Sequence, residues 1–327
     1  MLRRLFLYGA MIAGGSLAGS PLTLAQDGSD YPSRVVTVVV PFPAGGSTDT
    51  IGRFVAQDLS KSLGQQFIVD NKPGANGNIG TAGVARAEAD GYTLLISGVG
   101  SNAINYTLYP RLGFDPEDLT HITLFVTGPN VLVANPEFEA KTFQEFVELA
   151  KSKPNEFNYA SSGVGSSGHL AMEMLKQQAG IELTHVPYKG GAPAMTDVIG
   201  GQVPVMFINQ DVALPQVKAG KLRILAVAST ERNPAYPDTP TIAESGFPGF
   251  SAVSWFGLSA PANTPKPIID KLNAEALKAL QNPEFKKRME DNGFVVVGST
   301  PDEFTAFVAA ETEKWGDVIT KGGIKAE

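Results

Sequence analysis

Residues 34–49 read RVVTVVVPFPAGGSTD. Arg34 to Phe42 is β-branched and apolar almost without alternation, which is the pattern of a strand buried on both faces. Pro43, Ala44, Gly45 and Gly46 then form a loop. Ser47, Thr48 and Asp49 are helix-start residues, and Ile51, Phe54, Val55 and Leu59 fall on one face of a helix running to about Leu63, where Gly64 stops it. The spacing predicts a second strand over Gln66 to Asn71, a turn at Pro73 to Gly77, a second helix over Ile79 to Ala87 and a third strand over Tyr92 to Ser97. A β-α-β-α-β order of this kind requires a parallel sheet covered by helices.

After an irregular stretch from Gly98 to Asp118, the run Leu119 to Phe125 and a separate strand Asn130 to Asn135 lead into a second unit. There the order repeats. Thr142 and Glu145 have capping-box spacing for a helix to about Ser152. Strands follow at Asn158 to Ser161, Leu183 to Tyr188, Val205 to Ile208 and Leu222 to Ala228, with helices over Gly168 to Ala179 and Pro193 to Ile199. The Pro/Gly-rich stretch Asn233 to Gly249 is irregular. Phe250 to Ser259 leads to a helix ending near Leu280, a strand at Phe294 to Val297, and a closing helix whose start combines Thr300, Pro301 and Glu303.

At 327 residues the chain has material for two domains. Its 43% apolar and 18% charged residues describe a folded chain, not a disordered one. The absence of cysteine excludes disulfides, thiolate metal sites, iron–sulfur clusters, a cysteine nucleophile and a lipid anchor on Cys. Arg3 and Arg4, the apolar run Leu5 to Leu17 and the small residues ending at Ala25 predict a signal peptide over 1–25; the run is shorter than the ~20 residues of a membrane span. Arg3-Arg4-Leu5-Phe6-Leu7 also has twin-arginine character, so the export route stays open. Cleavage near Ala25 removes two arginines and no acid, so the formal net charge of −7 becomes −9. Such a surface repels nucleic acid, and an anionic ligand must be held by local donors.

Two loops supply such donors. The first is Pro41 to Asp49, at the carboxyl end of a buried strand and the start of a helix, where open α/β sheets bind ligands. Phe42, Ala44, Gly45, Gly46, Ser47 and Asp49 are its candidate residues; the structural alternative is a tight turn capped by Ser47 or Thr48. Asp49, an acid beside an anion site, is expected to satisfy free amides of the first helical turn. The second loop is Ser161-Ser162-Gly163-Val164-Gly165-Ser166-Ser167-Gly168, again between a strand and a helix. It matches the dinucleotide pattern formally, but the acid expected ~20 residues on is missing.

Several stretches together are similar to one family: PFPAGGSTD at 41–49, VDNKPGANGNIG at 69–80, DGYTLL at 90–95, YASSGVGSSGHLA at 159–171, HVPYKGGAPA at 185–194 and WFGLSAPANTP at 255–265. In this order, across essentially the whole mature chain, they resemble the Bug-type, or tripartite-tricarboxylate-transporter, extracytoplasmic solute receptors. The resemblance implies an α/β, two-domain periplasmic-binding-protein fold of the Venus flytrap, type II-like class, each domain a mainly parallel sheet flanked by helices. It also implies that Phe42 to Asp49 and Ser161 to Gly168 grip a ligand carboxylate from the two domains, largely through amides and bridging waters.

The expected division is 26–125 with 252–327 as one domain and 126–251 as the other. Ser97 and Asn102, with Ser101, follow the third strand. Asn209 and Asp211, with Gln210, follow Val205 to Ile208, and both segments are expected to add polar contacts. Asp211 suits either an ammonium group or a helix cap; Tyr188 is a candidate wall of the cleft or a half-buried loop aromatic. Trp255 is expected to pack near the hinge, and His169 and His185 to make hydrogen bonds within the fold, since the three histidines lie 48 and 16 residues apart, without zinc-motif spacing.

The expected function is periplasmic capture of a small carboxylate, such as a di- or tricarboxylate, an acidic amino acid or an aromatic acid, for membrane transporter subunits or a sensor kinase. No catalysis, metal, cofactor or nucleic acid is expected, and the chain is expected to act as a monomer. A secreted hydrolase of α/β class is the alternative, and a dinucleotide oxidoreductase stands third. No G-x-S-x-G elbow is present.

Overall fold

The structure, a computed structural model, describes residues 30–326; the expected signal peptide lies outside the described residues. The first unit is β1 (Val36–Val40), α1 (Ser47–Leu63), β2 (Phe67–Asn71), α2 (Asn78–Ala85) and β3 (Thr93–Gly98). Short helical turns over 100–104 lead to α3 (Asn105–Leu108), and β4 (Leu119–Ala134) enters the second unit. That unit holds α4 (Phe143–Ser152), β5 (Asn158–Ser161), α5 (Ser167–Ala179), β6 (Thr184–Pro187), α6 (Gly191–Ile199), β7 (Val205–Asn209), α7 (Gln210–Lys218) and β8 (Arg223–Val227). β9 (Val253–Pro261), α8 (Lys266–Gln281), α9 (Pro283–Asp291), β10 (Val295–Val296) and α10 (Pro301–Gly322) follow.

A ten-stranded sheet runs β2-β1-β3-β9-β4-β7-β5-β6, with β8 and β10 also paired to β4. At one end β1 pairs in parallel with β2 and β3; at the other β5 pairs in parallel with β6 and β7. The antiparallel strands β9 and β4 join the two ends. β1 shows why its run is apolar throughout: Val36, Val38 and Val40 enter a core with α1 and α8, while Val39 faces a smaller cluster with α2. β7 divides in the same way, Val205 and Phe207 to one core and Met206 and Ile208 to the other. Helices on both faces are what parallel strands need.

One expectation is corrected here. Leu119 to Phe125 and Asn130 to Asn135 are not two segments but parts of the single strand β4. Gly128-Pro129 suggests a break because proline cannot donate to a ladder. The missing N–H falls where the strand changes partners: Pro129 is the last residue paired with β9, and Asn130 is the first paired with β7. The sequence reading also omits α9, a helix whose buried residues are Phe285 and Met289.

α10 begins with the anticipated box, the Thr300 hydroxyl accepting from the Glu303 amide (3.2 Å) and the Glu303 carboxylate from the Thr300 amide (2.9 Å). Thr300→Ala is expected to cost about 1 kcal/mol, measurable by urea unfolding. α10 does not pack with α8 and α9. Phe304, Val308, Trp315, Val318 and Ile319 enter the core that holds Phe143 of α4 and Leu170 and Leu175 of α5, and the Gln177 side-chain amide donates to the Val318 carbonyl (2.9 Å).

Candidate functional site

The first loop leaves the carboxyl end of β1 and starts α1 at an N-cap, Gly46, that has no side-chain cap bond. A helix start leaves its first amides without intrahelical partners. Those of Ser47 and Thr48, and that of Gly46, meet no acceptor among the described residues. The Gly45 amide is different: it donates to Asp49 Oδ2 (2.9 Å). The same carboxylate accepts from Arg53 Nε (3.0 Å) and Asn71 Nδ2 (3.0 Å). Burial pushes Asp49 up, but the bonds from Arg53, Gly45 and Asn71 hold its carboxyl below the ordinary value. Asp49 therefore satisfies an amide of its own loop. Ala44 is exposed, and the half-buried Phe42 ring lies over Gly77 and Gly100, where an added Cβ would come within 3.2 and 3.3 Å of it.

The second loop leaves β5 and starts α5, where the Ser166 hydroxyl caps the His169 amide (3.3 Å). Gly163 and Gly165 have φ of +131° and +76°, conformations that L side chains resist. Their amides turn onto the protein: Gly163 N–H donates to Ser161 Oγ (3.1 Å) and Gly165 N–H to His169 Nδ1 (3.1 Å). The intervening amides of Ser162 and Val164 have no acceptor among the described residues. Two of the loop's glycines thus shape it, and the residues between them keep free donors.

Each loop is bonded to the other unit. Ser47 Oγ donates to Asp211 Oδ1 (2.7 Å) and accepts from Asn209 Nδ2 (3.0 Å). Asn76 Nδ2 donates to the Gly165 carbonyl (3.1 Å) and to Asn105 Oδ1 (2.8 Å). Asn209 is the N-cap of α7 but its side chain makes no cap bond; the Asp211 carboxylate, in the first turn, accepts the Asp211 and Val212 amides instead. Burial raises the Asp211 carboxyl to about 6, opposed by the Ser47 bond and backbone amides of α7. Beneath these groups the crossing strands add Asn130 and Ser254. Ser167 Oγ is 3.3 Å from Asn130 Oδ1 and 3.3 Å from Asn209 Oδ1, and Ser254 Oγ is 3.2 Å from Asn209 Oδ1.

Asn76, Asn130 and Ser254 are not among the candidate site residues of the sequence reading. Asn76 stands in a glycine-rich turn and has a left-handed φ of +49°, a signal that an asparagine between glycines could have supplied. Asn130 and Ser254 carry no local signal.

The side chains of the other candidates bond within their own unit, and Tyr188 adjoins the second loop through its amide, which donates to the Ser161 carbonyl (3.0 Å). Ser97 is fully buried and its hydroxyl accepts from Ser259 Oγ (3.0 Å), which in turn bonds His121 Nδ1 (2.9 Å). Asn102, also fully buried, takes the Ser101 hydroxyl (2.7 Å) and the Gly98 amide (3.3 Å) on Oδ1. The Tyr188 hydroxyl donates to Asp197 on α6 (2.6 Å), which pushes the phenol up to about 12. Trp255 is buried opposite Thr127, where β4 and β9 pass between the units. Among the described residues, no three His, Asp or Glu side chains gather as metal ligands.

Residues 51–324 match the sequence model of the Tripartite tricarboxylate transporter family receptor, TctC. The chain belongs to this family. It is 36% identical to Protein BugT of Bordetella pertussis over 327 residues, covering 99% of each chain. Two solved structures are similar over most of the chain. Rpa4515 of R. palustris with adipate has a TM-score of 0.86 and 37% identity, over 90% of this chain and 99% of that one. MatC from Rhodopseudomonas palustris with bound malate has a TM-score of 0.81 and 35% identity, over 88% and 100%. This chain therefore has the two-domain fold of periplasmic solute receptors.

Proposed function

We propose that this receptor captures a small carboxylate between its two halves and presents the closed form to membrane transporter subunits or a sensor kinase from the periplasm, after cleavage near Ala25. The halves of this reading are residues 26–125 with 252–327, and residues 126–251. What carries it is two uncompensated amide sets, Gly46 to Thr48 and Ser162 with Val164, each in a loop bonded to the other half. Helix-start amides favour an anion without a lysine or arginine. The receptors solved with adipate and malate support this ligand class.

Ser161 Oγ lies 2.6 Å from His185 Nε2, the pair a hydrolase requires. Ser161 is fully buried, however, and burial lowers His185 to about 4, so the pair offers neither an accessible nucleophile nor a competent base at neutral pH.

Purified mature protein is expected to be stabilised by adipate or malate by about 2.7 kcal/mol at a hundred times Kd, read as a thermal shift. NMR of the recovered acid should show it unchanged. Absence of any shift across a panel of di- and tricarboxylates, or release of a product, would sink the reading.

A further inference from the structure

Beneath the second loop three rings form a stack. The His169 and His185 rings lie 4.0 Å apart and 10° from parallel, and His185 lies on Tyr159 at 4.8 Å and 19°. Each imidazole holds one of the loop's glycines. His169 Nδ1 accepts the Gly165 N–H directly, while His185 Nε2 bonds Ser161 Oγ, which accepts the Gly163 N–H. An amide can donate only to a lone pair, so Nδ1 of His169 is unprotonated and its neutral ring carries the proton on Nε2.

The groups facing the stack come from three elements. Tyr159 of β5 donates to Glu173 of α5 (2.5 Å), and Lys176 of α5 pairs with Glu173 (2.9 Å). His185 stands on β6. Burial lowers His169 to about 3, with His185 and Lys176 acting in the same direction, and lowers His185 to about 4 despite the opposing Glu173. Both rings are uncharged at neutral pH. In contact, they couple the two glycines: a shift of one ring displaces the other and the amide it fixes.

We propose that His169 and His185 are positioning residues that lock Gly163 and Gly165 from below and thereby aim the free amides of Ser162 and Val164 at the ligand carboxylate. This rests on the carboxylate-receptor reading and gives it a device: donors organised before the ligand arrives, so that affinity is not spent on ordering the loop.

The test compares replacements that keep or delete the acceptor. In His169→Asn, Oδ1 can take the Gly165 amide in place of Nδ1; His169→Leu fills the space without an acceptor. With adipate and malate as probes at neutral pH, His169→Leu is expected to weaken binding about tenfold or more, and His169→Asn to stay within about threefold of the parent, by calorimetry. His185→Phe and His185→Gln delete and keep, in the same way, a polar partner for Ser161 Oγ. Backbone amide NMR without ligand supplies a second readout: the Ser162 and Val164 resonances should move in the acceptor-deleted variants and return toward parental positions in the acceptor-kept ones. Imidazole 15N shifts should show neutral His169 with its proton on Nε2.

Parental affinity in both His169→Leu and His185→Phe overturns the proposal, as does a His169 protonated on Nδ1. Should the acceptor-deleted proteins fail to fold, weak binding by the folded acceptor-kept variants overturns it equally. If the parent binds neither probe, the amide and imidazole spectra still decide whether the histidines set the loop, separating failure of the lock from failure of the receptor reading.

Discussion

Gly165→Val will abolish carboxylate binding at micromolar concentrations, with an expected loss of about a hundredfold, or ~2.7 kcal/mol. A Cβ at this position lies 2.1 Å from Leu108 Cδ2 and 3.3 Å from Asn76 Nδ2, both on segments of the first half. It would also have to adopt a φ of +76°, which a β-branched residue resists. The added bulk is therefore a wedge between the halves. It breaks the Asn76 bond to the Gly165 carbonyl and displaces the neighbouring donors Val164 and Ser162. Calorimetric titration with adipate and malate, beside circular dichroism of the unliganded variant, checks this; a folded variant with parental Kd would refute the pairing of the two loops in binding.

The second large effect concerns stability. Glu311 of α10 is 7% exposed, and its Oε2 accepts from both indoles, Trp255 Nε1 at 3.2 Å and Trp315 Nε1 at 3.0 Å, while Lys314 pairs with Oε1. Glu311→Ala leaves both fully buried tryptophans with an unsatisfied N–H. Each such donor costs about 1–3 kcal/mol, and the vacated volume adds to this, so a loss of about 3–5 kcal/mol is expected in denaturant unfolding. Glu311→Gln keeps an acceptor and should lose less. A change below about 1 kcal/mol for Glu311→Ala would mean that the core rearranges to satisfy the indoles.

Much of the architecture was legible because parallel strands with both faces buried leave unbroken β-branched runs, as at Val36 to Val40, and because Thr142 and Thr300 announce helix starts. Where local chemistry and tertiary role diverge, the reading failed. Gly128-Pro129 looks like a break but marks a change of strand partner. The helix PEFKKRMED went unread, although Asn282 and Pro283 are a proper N-cap and first-turn proline; Phe285 and Met289, four residues apart, are its buried residues.

The location of the candidate site was legible for a similar reason: glycines and serines after strand ends are visible in one dimension. Which amides stay free was not. That depends on side chains a few residues away choosing their acceptors: Asp49 takes the Gly45 amide, Ser161 that of Gly163 and His169 that of Gly165. The contacts between halves are more distant still. Ser47 and Asp211 are 164 residues apart, and Asn76 and Gly165 are 89 apart, so no local pattern records them.

The placement of α10 bears on how the molecule comes into being. Its apolar face completes an interior begun by α4 and α5, well over a hundred residues earlier. A nascent polypeptide can build the first parallel strands as they emerge, but the later half lacks a wall until Phe304 to Ile319 has been made. Until then its hydrophobic surface stays open to chaperones, and a ribosome that stalls before this stretch releases a product whose α4 and α5 interior lacks that wall.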